Sequence, residues 1–135
     1  MKAAIILAAG ESTRMGFPKQ LAEYKGNTIL ETVVETVSSY IENTVVVLGH
    51  ENETLTEKIN FKNSTILINE NWEEGIVSSI RTGLFYLNSA KNIDGVLIFM
   101  GDQPAINDDV IKKLLEVQHD EDEVVVPQYR YETGY

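Results

Sequence analysis

An apolar strand that runs into a glycine turn and then at once into an arginine and a lysine is suited to holding phosphate. Residues 4–21 read Ala-Ile-Ile-Leu-Ala-Ala-Gly-Glu-Ser-Thr-Arg-Met-Gly-Phe-Pro-Lys-Gln-Leu. Leu7 closes the strand, Gly10 lets the backbone turn tightly, and Arg14 and Lys19 bring two positive charges over backbone amides that would otherwise face water. Two solvated loop cations would look the same in isolation. The strand and glycine ahead of them favour phosphate.

A second cluster, Met100-Gly101-Asp102-Gln103-Pro104, follows another apolar run. Beside a phosphate loop a carboxylate repels phosphate unless a divalent cation lies between them, and magnesium commonly takes one or two carboxylates together with phosphate oxygens. Asp102 therefore reads as a metal ligand, although a turn aspartate ahead of Gln-Pro has the same local sequence. A third segment spans residues 69–84 and carries Gly75, Ser78, Ser79 and Gly83. The glycine and two serines would set hydroxyls and free amides at the start of a helix. Gly83 falls inside that helix at a cost of about 1 kcal/mol relative to alanine, which calls for close packing against a strand or a ligand.

Other chemistries lose support. His50 and His119 have no partners at catalytic spacing and no Gly-x-Ser-x-Gly elbow is present, so neither histidine is given a role. The glycines at 10 and 16 match neither a Walker A loop nor a dinucleotide fingerprint, which disfavours nucleotide hydrolysis and hydride transfer. A net charge of -10 without a basic stripe argues against nucleic acid. With no cysteine there is no disulfide framework and no thiolate metal site. The opening apolar run is too short for a membrane span or a signal peptide, so no membrane partner and a cytoplasmic location are expected.

The elements that must position these residues follow from hydrophobic pattern. Near-continuous apolar runs at 3–7, 44–48, 65–68 and 95–99, with a fifth at 123–126, alternate with segments of helical period. That is the pattern of an α/β fold, a parallel sheet covered by helices on both faces. At 135 residues and 43% hydrophobic composition one domain over 1–135 is expected. Thr28 with Glu31 forms a capping box, after which Ile29, Val33, Val37 and Ile41 share one face of a helix. A polar helix is expected over 53–59. A third helix would bury Ile76, Ile80, Leu84 and Leu87, and a fourth, over 108–118 and capped by Asn107, would bury Val110, Leu114 and Val117. In an open parallel sheet the ligand sits beyond the carboxyl ends of the strands where their order reverses. If the first and fourth strands are neighbours, Asp102 faces Arg14 and Lys19 across one crevice.

Taken in order, Leu7-Ala8-Ala9-Gly10-x-Ser12-x-Arg14-Met15-Gly16-x-Pro18-Lys19, Gly49-His50, Trp72-x-x-Gly75-x-x-Ser78-Ser79-x-x-x-Gly83-Leu84 and Gly101-Asp102-Gln103-Pro104 resemble the MobA-like nucleotidyltransferases. The molybdenum cofactor cytidylyltransferase branch is the nearest match. The resemblance runs along essentially the whole chain, and the Trp-to-Ser segment and Gly-Asp-Gln-Pro set it apart from sugar-phosphate and isoprenoid relatives. It implies a Rossmann-like three-layer α/β/α sandwich of the nucleotide-diphospho-sugar transferase type.

The resemblance further implies that Leu7, Ala8, Ala9, Gly10, Ser12 and Gly83 line a nucleoside triphosphate and that Arg14 and Lys19 hold its phosphates. Ser79 would approach the base or ribose, and Asp102 would hold Mg2+. Arg14, Lys19 and Asp102 form the catalytic set. The reaction implied is transfer of CMP from CTP to a small phosphorylated acceptor, molybdopterin cofactor, with release of pyrophosphate, and with molybdoenzymes under maturation as partners. Ala9 favours CTP, because related guanylyltransferases tend to carry a second glycine there. GTP as donor, a sugar phosphate or methylerythritol phosphate as acceptor, and a nucleotide-binding module without catalysis remain the alternatives. Family members continue past the point where Thr133-Gly134-Tyr135 stops and supply a second acidic ligand, so a truncated form lacking the acceptor side is expected.

Overall fold

The computed structural model describes residues 1–10, 23–24, 26–50, 52–90, 92–102 and 107–116. The expected strand at 123–126 lies outside them, as do Ser12, Arg14 and Lys19. The chain starts with β1 (Lys2–Ala8), passes through a two-residue pair β2 (Glu23–Tyr24) and β3 (Asn27–Thr28), and enters α1 (Ile29–Tyr40). There follow β4 (Asn43–Leu48), α2 (Asn52–Lys58), β5 (Thr65–Ile68), a 3-10 turn at Trp72–Glu74, α3 (Ile76–Leu87), β6 (Gly95–Met100) and α4 (Asp108–Glu116). Each expected strand within the described residues is present to within a residue at either end. The β2–β3 pair was not anticipated, since two residues a side carry no readable alternation.

Four strands form a parallel sheet in the order β5-β4-β1-β6. β1 is central and apolar on both faces, every residue from Ala3 to Ala8 being buried. Ala4, Ile6 and Ala8 pack on one side with Leu30, Val33, Val34, Val37 and Ile111. Ala3, Ile5, Leu7 and Ala9 pack on the other with Leu87 and, at its margin, Trp72 and Ile80. Alternate residues of one strand thus bind two helical layers, α1 and α4 on one face and α3 on the other.

The α1 cap has the expected form. Glu31 N–H donates to Thr28 Oγ1 at 3.1 Å and Thr28 N–H donates to Glu31 Oε1 at 3.3 Å. Glu31 also accepts from Asn60 N–H at 3.1 Å, which ties the start of α1 to the segment after α2. Burial works to raise the Glu31 pKa, but these hydrogen bonds and the Lys62 charge outweigh it and leave the carboxyl below the usual 4.5. A lowered folded-state pKa gives stability that is present above the unfolded value and is lost as pH falls through the folded one. Thr28→Ala is expected to lower stability by about 1 kcal/mol. The gap between native protein and Glu31→Gln in denaturant titrations should be widest near neutrality and close as pH falls through the lowered folded-state pKa.

Two expected helix faces are corrected. On α3 the sheet-facing residues are Ser79, Gly83 and Leu87, with Ile80 partly buried, while Ile76 and Leu84 are 50% and 44% exposed. The helix is rotated because it approaches β1 closely: a Cβ placed on Gly83 would lie 2.8 Å from Ile5 Cδ1. Where the helix comes closest the line is occupied by Gly83, with Ser79 one turn before it and Leu87 one turn after, so Ile76 and Leu84 lie beside it. On α4 the fully buried residue is Ile111 rather than Val110, with Leu114 and Leu115 packed partly against the core and Val117 outside the described residues. On α1, Val33, Val37 and Ile41 are buried as expected, Leu30 and Val34 join them, and Ile29 is half-buried.

Candidate functional site

The chain moves outward from β1 to β4 and β5, then crosses back over the other face through α3 to place β6 on the far side of β1. The direction of winding reverses between β1 and β6, and in open parallel sheets such a switch point, beyond the carboxyl ends of the strands, is where a ligand sits. The two segments expected to face one another do come from adjacent strands: Leu7 is in register with Met100, and Gly101 N–H donates to Leu7 O at 2.8 Å. Leu7, Ala8 and Ala9 are buried at this edge, Gly10 is exposed, and Asp102 is half-buried. Ser12, Arg14 and Lys19 follow Gly10 in the sequence and lie outside the described residues.

The other side of β1 is held equally firmly. His50 N–H donates to Ala9 O at 3.0 Å, carrying the β1–β4 ladder one step past both strands, and Asn69 N–H donates to Leu48 O at 2.7 Å. Gly49 lies where the layers meet. A Cβ there would be 2.6 Å from Trp72 Cβ and 3.0 Å from Ala9 Cβ, so only glycine lets the Trp72 turn lie on the end of β1. The His50 and Trp72 rings sit 4.8 Å apart, tilted by 60°.

The 3-10 turn ends at Gly75, whose φ of 102° and ψ of -176° lie in a region open essentially to glycine alone. The same residue starts α3 with no side-chain cap. Ser79, 3% exposed, sits in the first turns of that helix and accepts from Asn69 Nδ2 at 3.0 Å. Gly83 is one turn further along, against Ile5 of the sheet. The structure therefore gathers Leu7 to Gly10, Gly49, Asn69 and Asp102 along one sheet edge, with Ser79 bonded to Asn69. It gives Gly83 a packing reason of its own.

Asn69 and Gly49 were not among the expected site residues. Gly49-His50 repeats the glycine-polar pair of Gly101-Asp102 after an apolar strand, and that repetition was the available signal. For Asn69 an asparagine just past a strand end was the signal, too common to stand out.

The profile of the MobA-like NTP transferase domain matches residues 4–135. The chain belongs to that family. Among curated relatives, this MobA-like chain is 27% identical over 117 residues to the molybdenum cofactor cytidylyltransferase of Escherichia coli K12, covering 86% of this chain and 59% of that protein. It is 30% identical over 126 residues to the probable molybdenum cofactor guanylyltransferase of Natranaerobius thermophilus, covering 92% and 58%. The MobA-like chain thus spans a little under three-fifths of the length of these two relatives. Among solved structures, Rv0371c of Mycobacterium tuberculosis superposes with a TM-score of 0.75 at 22% identity, over 86% of this chain and 59% of that one. The complex of Rv0371c with manganese gives a TM-score of 0.72 at 21% identity, over 85% and 58%. These neighbours share the Rossmann-like α/β fold.

No described helix is long and apolar enough to cross a membrane. Among the described residues no group of three or more His, Cys, Asp or Glu forms a metal cage. Among the described residues Asp102 is the carboxylate that follows the end of β6, and magnesium commonly takes one or two carboxylates and draws its other ligands from phosphate and water.

Proposed function

We propose that this chain forms the nucleotide-holding part of a nucleotidyltransferase that moves CMP from CTP to a phosphorylated acceptor, molybdopterin cofactor. The observation that supports the reading is the adjacency of β1 and β6 at the switch point, which brings Ala8-Ala9-Gly10 and Asp102 to the same end of neighbouring strands. The molybdenum cofactor relatives support the acceptor, and Ala9 supports cytidine over guanosine. GTP is the second reading, favoured by 30% identity to a probable guanylyltransferase.

In this reading the segment that follows β1 lies along the triphosphate, with Arg14 and Lys19 on its phosphates. An oxygen of the acceptor phosphate attacks the α-phosphorus in line, the bond from that phosphorus to the bridging oxygen breaks, and pyrophosphate leaves. No covalent enzyme intermediate forms. The residues hold donor and acceptor in line and offset the negative charge that collects on the transferred group. Asp102 would hold Mg2+, which when bound neutralises phosphate charge. The side chains of Leu7, Ala8 and Ala9 are buried at this strand end, which keeps water from beneath the bound nucleotide.

Incubating the protein with CTP or GTP, magnesium and molybdopterin, a sugar phosphate or methylerythritol phosphate, and measuring pyrophosphate, tests the reaction. Release with CTP and molybdopterin is the expected result. CTP binding without release in any pairing would leave a binding module, and neither binding nor release would reject the reading. Lys19→Ala is expected to weaken CTP binding about tenfold in calorimetry, since a lysine on phosphate is a charge-assisted contact.

A further inference from the structure

Asn69 follows the last residue of β5 and is 4% exposed, so its side-chain amide must find its partners within the protein. Asn71 N–H donates to Asn69 Oδ1 at 3.0 Å, which fixes the oxygen end of the amide and turns the nitrogen the other way. Nδ2 then donates to Ser78 Oγ at 2.8 Å and to Ser79 Oγ at 3.0 Å. The two serines differ in what they do with their own hydrogens. Ser78 Oγ donates toward the carbonyl oxygens of Gly75 and Asn71, at 2.9 and 3.1 Å. The Ser79 hydroxyl accepts from Asn69 and finds no acceptor for its hydrogen among the described residues.

A buried hydroxyl hydrogen with no acceptor is unfavourable, and Asn69 prevents the simplest remedy because only an N–H faces Ser79 from that side. We propose that Asn69 is a positioning residue that holds Ser79 as a hydrogen-bond donor for an acceptor atom of the bound nucleoside, a base carbonyl or a ribose oxygen. Asn69 does not touch the nucleotide itself; it sets the direction of the Ser79 hydrogen. The inference rests on the nucleotide reading given above.

Asn69→Asp separates this role from a merely structural one. The carboxylate has the same shape and offers only acceptors, so Asn71 N–H and both serine hydroxyls would donate to it. The buried network stays satisfied while the Ser79 hydrogen turns away from the ligand. Calorimetry with CTP and magnesium on native protein, Asn69→Asp, Ser79→Ala and the double variant should show about tenfold weaker binding for each single change. The double variant should be little weaker than either single one, since both remove the same donor. Repulsion between the new carboxylate and triphosphate would persist without Ser79 and would make the losses multiply, which would overturn the proposal.

Native affinity in Asn69→Asp, or in Ser79→Ala where Asn69→Asp does not fold, also overturns it. With 2′-deoxy-CTP a vanished penalty places the acceptor at the ribose 2′-oxygen and a retained penalty places it elsewhere on the nucleoside, and both support the donor role. Native protein that binds no triphosphate overturns the functional reading and this inference together. Native protein that binds CTP with Asn69→Asp unchanged overturns only the positioning role.

Discussion

Asp102→Asn is expected to abolish the metal-dependent part of triphosphate binding and to slow nucleotidyl transfer by about a hundredfold or more. The substitution keeps the shape of the side chain and removes its charge, at a half-buried position just past β6. Hydrogen bonding of Gly101 to Leu7 does not involve the carboxylate, so the strand end should hold its place. Titrating CTP into native protein and variant, each in magnesium and again in EDTA, provides the check. The native protein should lose affinity in EDTA and the variant should bind equally weakly in both. A variant with a native magnesium response would move the metal away from Asp102.

Gly49→Ala should be the most damaging single methyl group at the site. Its Cβ would lie 2.6 Å from Trp72 Cβ and 2.9 Å from Trp72 Cγ. Trp72 Cβ is bonded to the backbone, so no rotamer change relieves the contact and the turn at Trp72–Glu74 must shift. That turn feeds Gly75 and the start of α3, so the disturbance reaches Ser78 and Ser79. Overpacking of this kind is expected to cost about 1–3 kcal/mol in urea denaturation. CTP affinity should fall about tenfold through the displaced serines. Native stability together with native affinity would show that the two segments can separate without consequence.

The sequence disclosed most where one side chain or one pattern decided the structure. Unbroken runs of branched apolar residues marked β1, β4, β5 and β6, because strands buried on both faces have no polar positions to interrupt them. Thr28 and Glu31 marked the start of α1, since a capping box is a local arrangement of two side chains with two N–H groups. The rule for switch points singled out the segments after β1 and β6 on the condition that the two strands were neighbours, and their register meets that condition.

What was hidden depends on contacts between distant segments. The buried line of α3 runs through Ser79 and Gly83 because that helix comes close to Ile5, and periodicity, which weighs apolar residues, pointed to Ile76 and Leu84 instead. Asn69 gains its partners from Asn71, Ser78 and Ser79 only after the chain has folded back past Gly75. Gly49 depends on a tryptophan more than twenty residues later. In each case a small or polar residue matters because of what is brought against it, and nothing in its own neighbourhood announces this.

The central place of β1 also bears on how the chain acquires its shape. Its first residues are made first, yet Lys2 must wait for Gly95 before the second edge of the strand is paired. The β4 edge can zip much earlier, through Ala3 with Asn43. Assembly is therefore lopsided and slow at its last step, as distant parallel pairings are. Until β6 arrives, one edge of a strongly apolar strand lies unpaired, and the step that covers it is the same one that brings Asp102 to the end of β1.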